Sequence, residues 1–235
     1  MEGEFSKNLF VMLLAIMIGA VVITYFVADI VNRSTIDTLK TQHDVEIEGI
    51  QTKNENFVSH FIESTVILDK AREYRAFGNY HFDLAFLWYQ SALSETNSTL
   101  FDSYKLRGID NCTNAMPKYD YSNKNFNEAE EYFIVTRSNT TNTKYIEVIN
   151  IYINLTKSGS RLTMLRYNAS KYLKYLTENL TIKLINDTLV VGYMENMTDI
   201  LFLFNQSMNG YQGELDIYEE YQDEIDEYEF FDEIR

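Results

Sequence analysis

Proline is nearly missing from this chain. Its 235 residues contain one, Pro117, beside nine glycines, one cysteine and one tryptophan. Folds made of strands and tight turns need Gly and Pro wherever the backbone takes special geometry. Their scarcity therefore excludes a turn-rich all-β architecture and favours long helices. A lone Cys112 excludes an internal disulfide and, set inside an Asn-Cys-Thr triplet, reads as an inert thiol. The three histidines, His43, His60 and His81, are scattered, so no HExxH or Cys/His cluster can hold a metal. His60 and Glu63 stand one turn apart, but such a lone pair reads as an exposed helix contact. No glycine-rich phosphate loop is present, and Ser160 lacks the strand–turn–helix setting of a nucleophile elbow. The acidic C-terminus lacks the glycine on which an EF-hand turns. A non-enzymatic chain with no catalytic residue, metal or cofactor is expected. Its net charge of −15 disfavours nucleic acid as a partner, because acidic surfaces repel phosphate.

What is present begins with an apolar run. Leu9 to Ala28 is a stretch of twenty residues without a charge, about 30 Å long as a helix, which matches the hydrocarbon core of a bilayer. Ile30 and Val31 extend it past Asp29. A signal peptide has a shorter apolar region behind a basic leader. Here the leader, residues 1–8, sets Lys7 against Glu2 and Glu4. Residues 9–31 are expected to form one retained transmembrane helix in the lipid bilayer. Flanking charge does not orient it, but the glycosylation sequons do. Asn-X-Ser/Thr occurs ten times, all C-terminal to the run, about threefold more often than chance would give. Asn32 lies too near the bilayer. Asn97, Asn111, Asn139, Asn154, Asn168, Asn179, Asn186, Asn196 and Asn205 are the expected sites of N-linked glycans. They place the N-terminus inside and the C-terminal domain outside the cell. Many sequons, no disulfide and a pI near 4.6 are together similar to archaeal surface proteins.

Residues 32–66 read as a juxtamembrane helix. Ile36, Leu39, Ile47, Ile50, Phe57, Phe61 and Leu68 recur mostly three, four or seven apart, with His43 and Asn54 interrupting the stripe. This helix is expected to fold back on the domain, with a short coiled-coil stalk as the alternative. The helical ectodomain, residues 67–211, starts with a turn at Gly78-Asn79, followed by a buried aromatic helix. A polar, broken stretch surrounds Pro117, and Asn125 or Asn127 caps the next helix. Residues 157–160 mark a further break. After it, a helical wheel sets Asn168, Asn179 and Asn186 on one face and Leu173, Leu176, Leu180, Leu184 and Val191 on another. The last helix of this region ends at Asn209-Gly210.

Ala85, Tyr89 and Ala92-Leu93 follow Gly78-Asn79-Tyr80, and Asn125-Phe126 precedes Ala129 and Phe133. In this spacing of small and aromatic residues after a turn, residues 57–136 resemble the tetratricopeptide family of helical hairpins. The two matches lie 44 residues apart, against the family's repeat of about 34, and Pro117 falls within what would be a first helix. The resemblance implies stacked hairpins whose grooves take peptides or partner helices.

From residue 212 the composition shifts. The last 22 residues hold eleven acids against Arg235 alone, yet Leu215, Tyr218, Tyr221, Ile225 and Tyr228 recur at helical spacing. The segment is either a docked C-terminal helix or a tail that folds on a partner, with Tyr218, Tyr221, Ile225 and Tyr228 as the partner-binding residues. The expected whole is an all-α protein, one N-terminal transmembrane helix followed by an extracellular array or bundle of helical hairpins. Its expected function is that of a non-enzymatic protein-binding scaffold, or an accessory subunit among other membrane or envelope proteins. The alternative is a sensory input domain that binds a small ligand and signals through a partner.

Overall fold

The computed structural model describes the backbone of residues 2–228 and the side chains of residues 33–228. Its elements are α1 (Glu2–Ser94), α2 (Ser98–Ser138), α3 (Thr143–Glu178), β1 (Leu180–Ile185), β2 (Thr188–Tyr193) and α4 (Thr198–Glu227). The all-α expectation holds, with one β-hairpin as the exception. The transmembrane segment read at 9–31, the leader and Asn32 lie outside the residues whose side chains are described. Among the described residues no helix is long and apolar enough to cross a membrane. The chain divides into two compact units, residues 1–53 and 54–235. In the first, every described residue from Arg33 to Lys53 is exposed.

The second unit is a four-helix bundle in which neighbours run antiparallel. The hydroxyls of Ser64 and Thr136 meet at one end of the α1–α2 contact, and Trp88 stacks on Tyr104 at the other. Arg137 donates to Asn150 at one end of α2–α3, and Lys105 donates to the Leu180 carbonyl at the other. Tyr228 donates to Glu147, and Arg166 lies against Met208, across α3–α4. Arg72 donates to Tyr218, and Phe86 stacks on Phe204, across α1–α4.

Helix ends follow asparagine rather than glycine. Asn97 caps α2, its side chain accepting from the backbone N–H groups of Thr99 and Leu100, and Asn142 caps α3 by accepting from Lys144. The glycines expected to break helices lie inside them. Gly78 is interior to α1 because the Tyr119 ring rests on it: a Cβ there would fall 2.6 Å from the ring. Gly159 is interior to α3 for the same reason, with Phe126 2.3 Å from the position a Cβ would take. Asn125, Asn127, Asn209 and Pro117 are also internal to helices. At Pro117 the wholly buried neighbours Ala115 and Tyr119 hold α2 together against the lost backbone hydrogen bond. The turns that the tetratricopeptide resemblance placed at Gly78 and Asn125 are therefore absent, and the hairpins are made of longer helices, α2 of 41 and α3 of 36 residues.

Two apolar clusters fill the bundle. One gathers Phe57, Phe61, Leu68, Phe126, Phe133, Tyr152, Leu162 and Tyr218. The other gathers Phe82, Ala85, Tyr89, Cys112, Tyr119, Leu173, Leu176 and Phe204. Phe57 and Phe61 belong to the core, so the domain starts before residue 67. Burial pushes the Cys112 thiol up to about 12, which makes it the inert residue expected.

Candidate functional site

Where the two clusters meet, the bundle interior turns polar. Arg75 projects from α1 over the rings of Tyr218, at 4.2 Å, and Phe126, at 5.8 Å. Arg166 projects from α3 between the rings of Tyr211, at 4.0 Å, and Phe82, at 4.4 Å. Spacing explains the arrangement: Arg75 and Phe82 are seven residues apart on α1, as are Tyr211 and Tyr218 on α4, so each pair shares a helix face. Tyr119 donates to Asn79 Oδ1 at 2.8 Å, and Asn79 Nδ2 donates to the Tyr211 hydroxyl at 3.5 Å. Ser122 donates to the Ala71 carbonyl at 2.7 Å. Arg75 Nη1 and Arg166 Nε are buried without a hydrogen-bond partner. Stacking on electron-rich faces takes part of the place of hydrogen bonds for these cations. Neither Arg75 nor Arg166 was singled out by sequence, and Asn79 was read only as part of a turn. The seven-residue arginine–aromatic spacing was the one available signal.

Burial also acts on the phenols. It pushes Tyr119 well above the ordinary tyrosine range, with the charges of Arg166 and Arg75 acting the opposite way. Tyr152 is pushed up to about 12, again chiefly by burial. A phenol whose folded value lies above its unfolded value of about 10 contributes stability that is complete below pH 10. That stability is lost above pH 10, at about 1.4 kcal/mol per pH unit for each such group, up to the folded value. The melting temperature is therefore expected to fall between pH 10 and 12. Tyr152→Phe should make that fall shallower, as read by circular dichroism.

A second feature caps one end of the bundle. Asn186 and Asp187 both have positive φ, at 51° and 60°, and form the two-residue turn that joins β1 to β2 with matching strand twist. Leu180 faces Tyr193, Ile182 faces Val191 and Leu184 faces Leu189, all on one side of the ribbon. The first two pairs pack on the bundle, and the hydroxyls of Tyr193 and Tyr89 meet there. The third pair overhangs: Leu184 is 67% and Leu189 47% exposed, and Ile185 and Val190 on the other face are open as well.

The hairpin corrects the single helix read past residue 178. Asn179 ends α3, its backbone N–H bonding the carbonyls of Thr177 and Tyr175. Leu184 is thus a strand residue and Asn186 a turn residue, and the wheel breaks at Asn179. Of the sequon asparagines, Asn97, Asn154, Asn186, Asn196 and Asn205 are exposed, while Asn111, Asn139, Asn168 and Asn179 are half-buried. Asn97, Asn139, Asn179 and Asn196 also hydrogen-bond the backbone at helix ends. Thr156, Ser170 and Ser207, the hydroxyl residues of three sequons, are buried and donate to helix carbonyls.

The C-terminal segment takes the docked alternative. Tyr218 is wholly buried, Ile225 is buried, Tyr221 is half-buried and Tyr228 donates to Glu147. Tyr218 and Ile225, two of the four expected partner-binding residues, are thus taken up by the bundle's own core, while Tyr221 and Tyr228 remain half-buried at its surface. His60 and Glu63 both meet Tyr132, whose phenol the Glu63 charge pushes up. Among the described residues no group of His, Cys, Asp and Glu could hold a metal ion. Comparison with protein-family models, with curated proteins and with solved structures finds no match to this chain.

Proposed function

We propose that this chain is a membrane-anchored, non-enzymatic protein-binding scaffold whose helical bundle stands outside the cell. The observation that carries the reading is the hairpin overhang, four aliphatic side chains held beyond the packed base of the hairpin and left open to solvent. Apolar groups concentrated at one exposed tip favour a protein partner. The uncharged run from Leu9 to Ala28 supports the anchor, and the sequon excess supports the outward orientation. Asn186, with Thr188 exposed beside it, is the sequon best placed for a glycan on the folded domain. Thr156 and Ser207 are buried in the bundle, so modification of Asn154 and Asn205 precedes folding.

The sensor reading has one observation behind it, the buried and unpartnered N–H groups of Arg75 and Arg166, which suit a small anion. One experiment separates the two. Purification in mild detergent should yield a stoichiometric protein partner, and Leu184→Ser with Leu189→Ser should reduce its recovery at least tenfold while leaving the melting temperature unchanged. Full recovery with the double variant sinks the scaffold reading at this tip. A small anion retained in the native mass spectrum, with no protein, favours the sensor.

A further inference from the structure

Residues 33–53 of α1 carry an apolar stripe whose side chains are exposed. Ile36 and Leu39 recur eleven residues later as Ile47 and Ile50, and the polar His43 recurs as Asn54. At 100° per residue these six positions fall within about 80° of one another. The four aliphatic side chains are 62, 60, 41 and 53% exposed. A helix with a one-sided apolar stripe is stable when that side is covered.

We infer that this stripe packs, in parallel and in register, against the same stripe of a second copy of the chain. The parallel direction rests on the anchor reading of residues 9–31. Two copies inserted in one bilayer enter with the same orientation, and their confinement raises the effective concentration of each stripe for the other. The polar position selects the register. In register, His43 meets His43. A slip of four residues sets it against Ile47, and a slip of seven against Ile50, leaving a polar ring in apolar contact. A slip of eleven matches His43 with Asn54 but forfeits half of the stripe. A second copy supplies polar breaks at the required spacing by construction, whereas a foreign helix would have to match them. The bilayer surface suits the stripe less. Interfacial helices carry an excess of Lys and Arg, and residues 33–53 set Arg33, Lys40 and Lys53 against Asp37, Asp44, Glu46 and Glu48. An eleven-residue period gives a nearly straight pair with a slight right-handed supercoil.

Cysteine cross-linking of the full-length protein in its membrane tests this. Cys112 is buried and contributes little background. Ile47→Cys lies on the stripe, and Val45→Cys lies on the opposite side of the helix, where Val45 is 64% exposed. Mild oxidation should give a disulfide-linked dimer for I47C in at least tenfold higher yield than for V45C. Adding Ile50→Asp should remove it, with the melting temperature of the bundle unchanged. Equal yields, no I47C dimer, or I47C linked to a different protein would each overturn the pairing. Alkaline carbonate extraction distinguishes this failure from failure of the anchor. Release from the membrane refutes the anchor, whereas a retained but unlinked protein refutes the pairing alone.

Discussion

Truncating the chain after Gly213 is expected to unfold the bundle. The segment removed has the composition of a solvated acidic appendage, but its buried side supplies core. Tyr218 is wholly buried, edge-on to Phe126 at 6.3 Å and beneath Arg75, and its hydroxyl accepts from Arg72 Nε at 3.1 Å. Ile225 is buried seven residues later, and Glu214 accepts from Ser158 at 2.6 Å while pairing with Arg161 at 2.8 Å. Burying each large apolar side chain contributes about 1.5–3 kcal/mol, against a net stability of about 5–15 kcal/mol for a domain. Loss of the segment also takes the Tyr218 ring and hydroxyl away from Arg75 and Arg72. A thermal scan of the truncated protein should show no cooperative transition, or a midpoint lower by more than about 15 °C. Tyr218→Ala alone should cost roughly 3–5 kcal/mol, or about 10 °C at this chain length. Tyr218→Phe, which removes only the hydroxyl, should cost about 1 kcal/mol. An unchanged midpoint after truncation would show that the second half of α4 is not part of the core. The outer face of the same segment, with Asp216, Glu219, Glu220, Asp223, Glu224 and Glu227 together, repels itself, so moderate salt should raise the midpoint.

Gly159→Leu is expected to prevent folding, and Gly159→Ala to destabilise, although alanine is the better helix former by about 1 kcal/mol. The Phe126 ring, wholly buried, approaches to 2.3 Å of the position a Cβ would take, and it is packed edge-on against Tyr218 as well. Overpacking of this kind costs about 1–3 kcal/mol for a single methyl and more for a branched side chain. Gly213 supplies the control, since a Cβ there would meet nothing within 4 Å. Gly213→Ala should raise the melting temperature slightly while Gly159→Ala lowers it. Equal responses would mean that Gly159 is not a contact position.

Much of the bundle's covered surface was legible. Phe57, Phe61, Leu68 and the Ala85, Ala129 and Phe133 positions were read as parts of apolar or small-residue faces, and all are buried. Those faces arise from helical periodicity, which belongs to the chain itself. The hairpin was not legible, because Leu180, Leu184 and Val191 suit a helical wheel and a strand alike. The choice was made at Asn179, which caps α3, and at Asn186-Asp187, whose positive φ angles close the turn. The tail's docking was legible only as one of two alternatives, since composition counts charges without showing that they share one face. The cation–aromatic layer left only the seven-residue spacing of Arg75 and Phe82 as a trace in the sequence, because each arginine finds its rings on a helix far away in sequence.

By itself, the sequence determined that the chain is helical and which side of each helix is apolar. Scarce proline and glycine leave backbone hydrogen bonding uninterrupted, and side-chain spacing follows the 3.6-residue period whatever the partners are. Only the tertiary structure decided where the helices end and what each breaker does. Gly78, Gly159 and Pro117 stop nothing, because packing around them outweighs a local propensity of one to a few kcal/mol. Two of those residues serve close approach: Tyr119 lies on Gly78 and Phe126 on Gly159, contacts that exist only once α1, α2 and α3 are side by side.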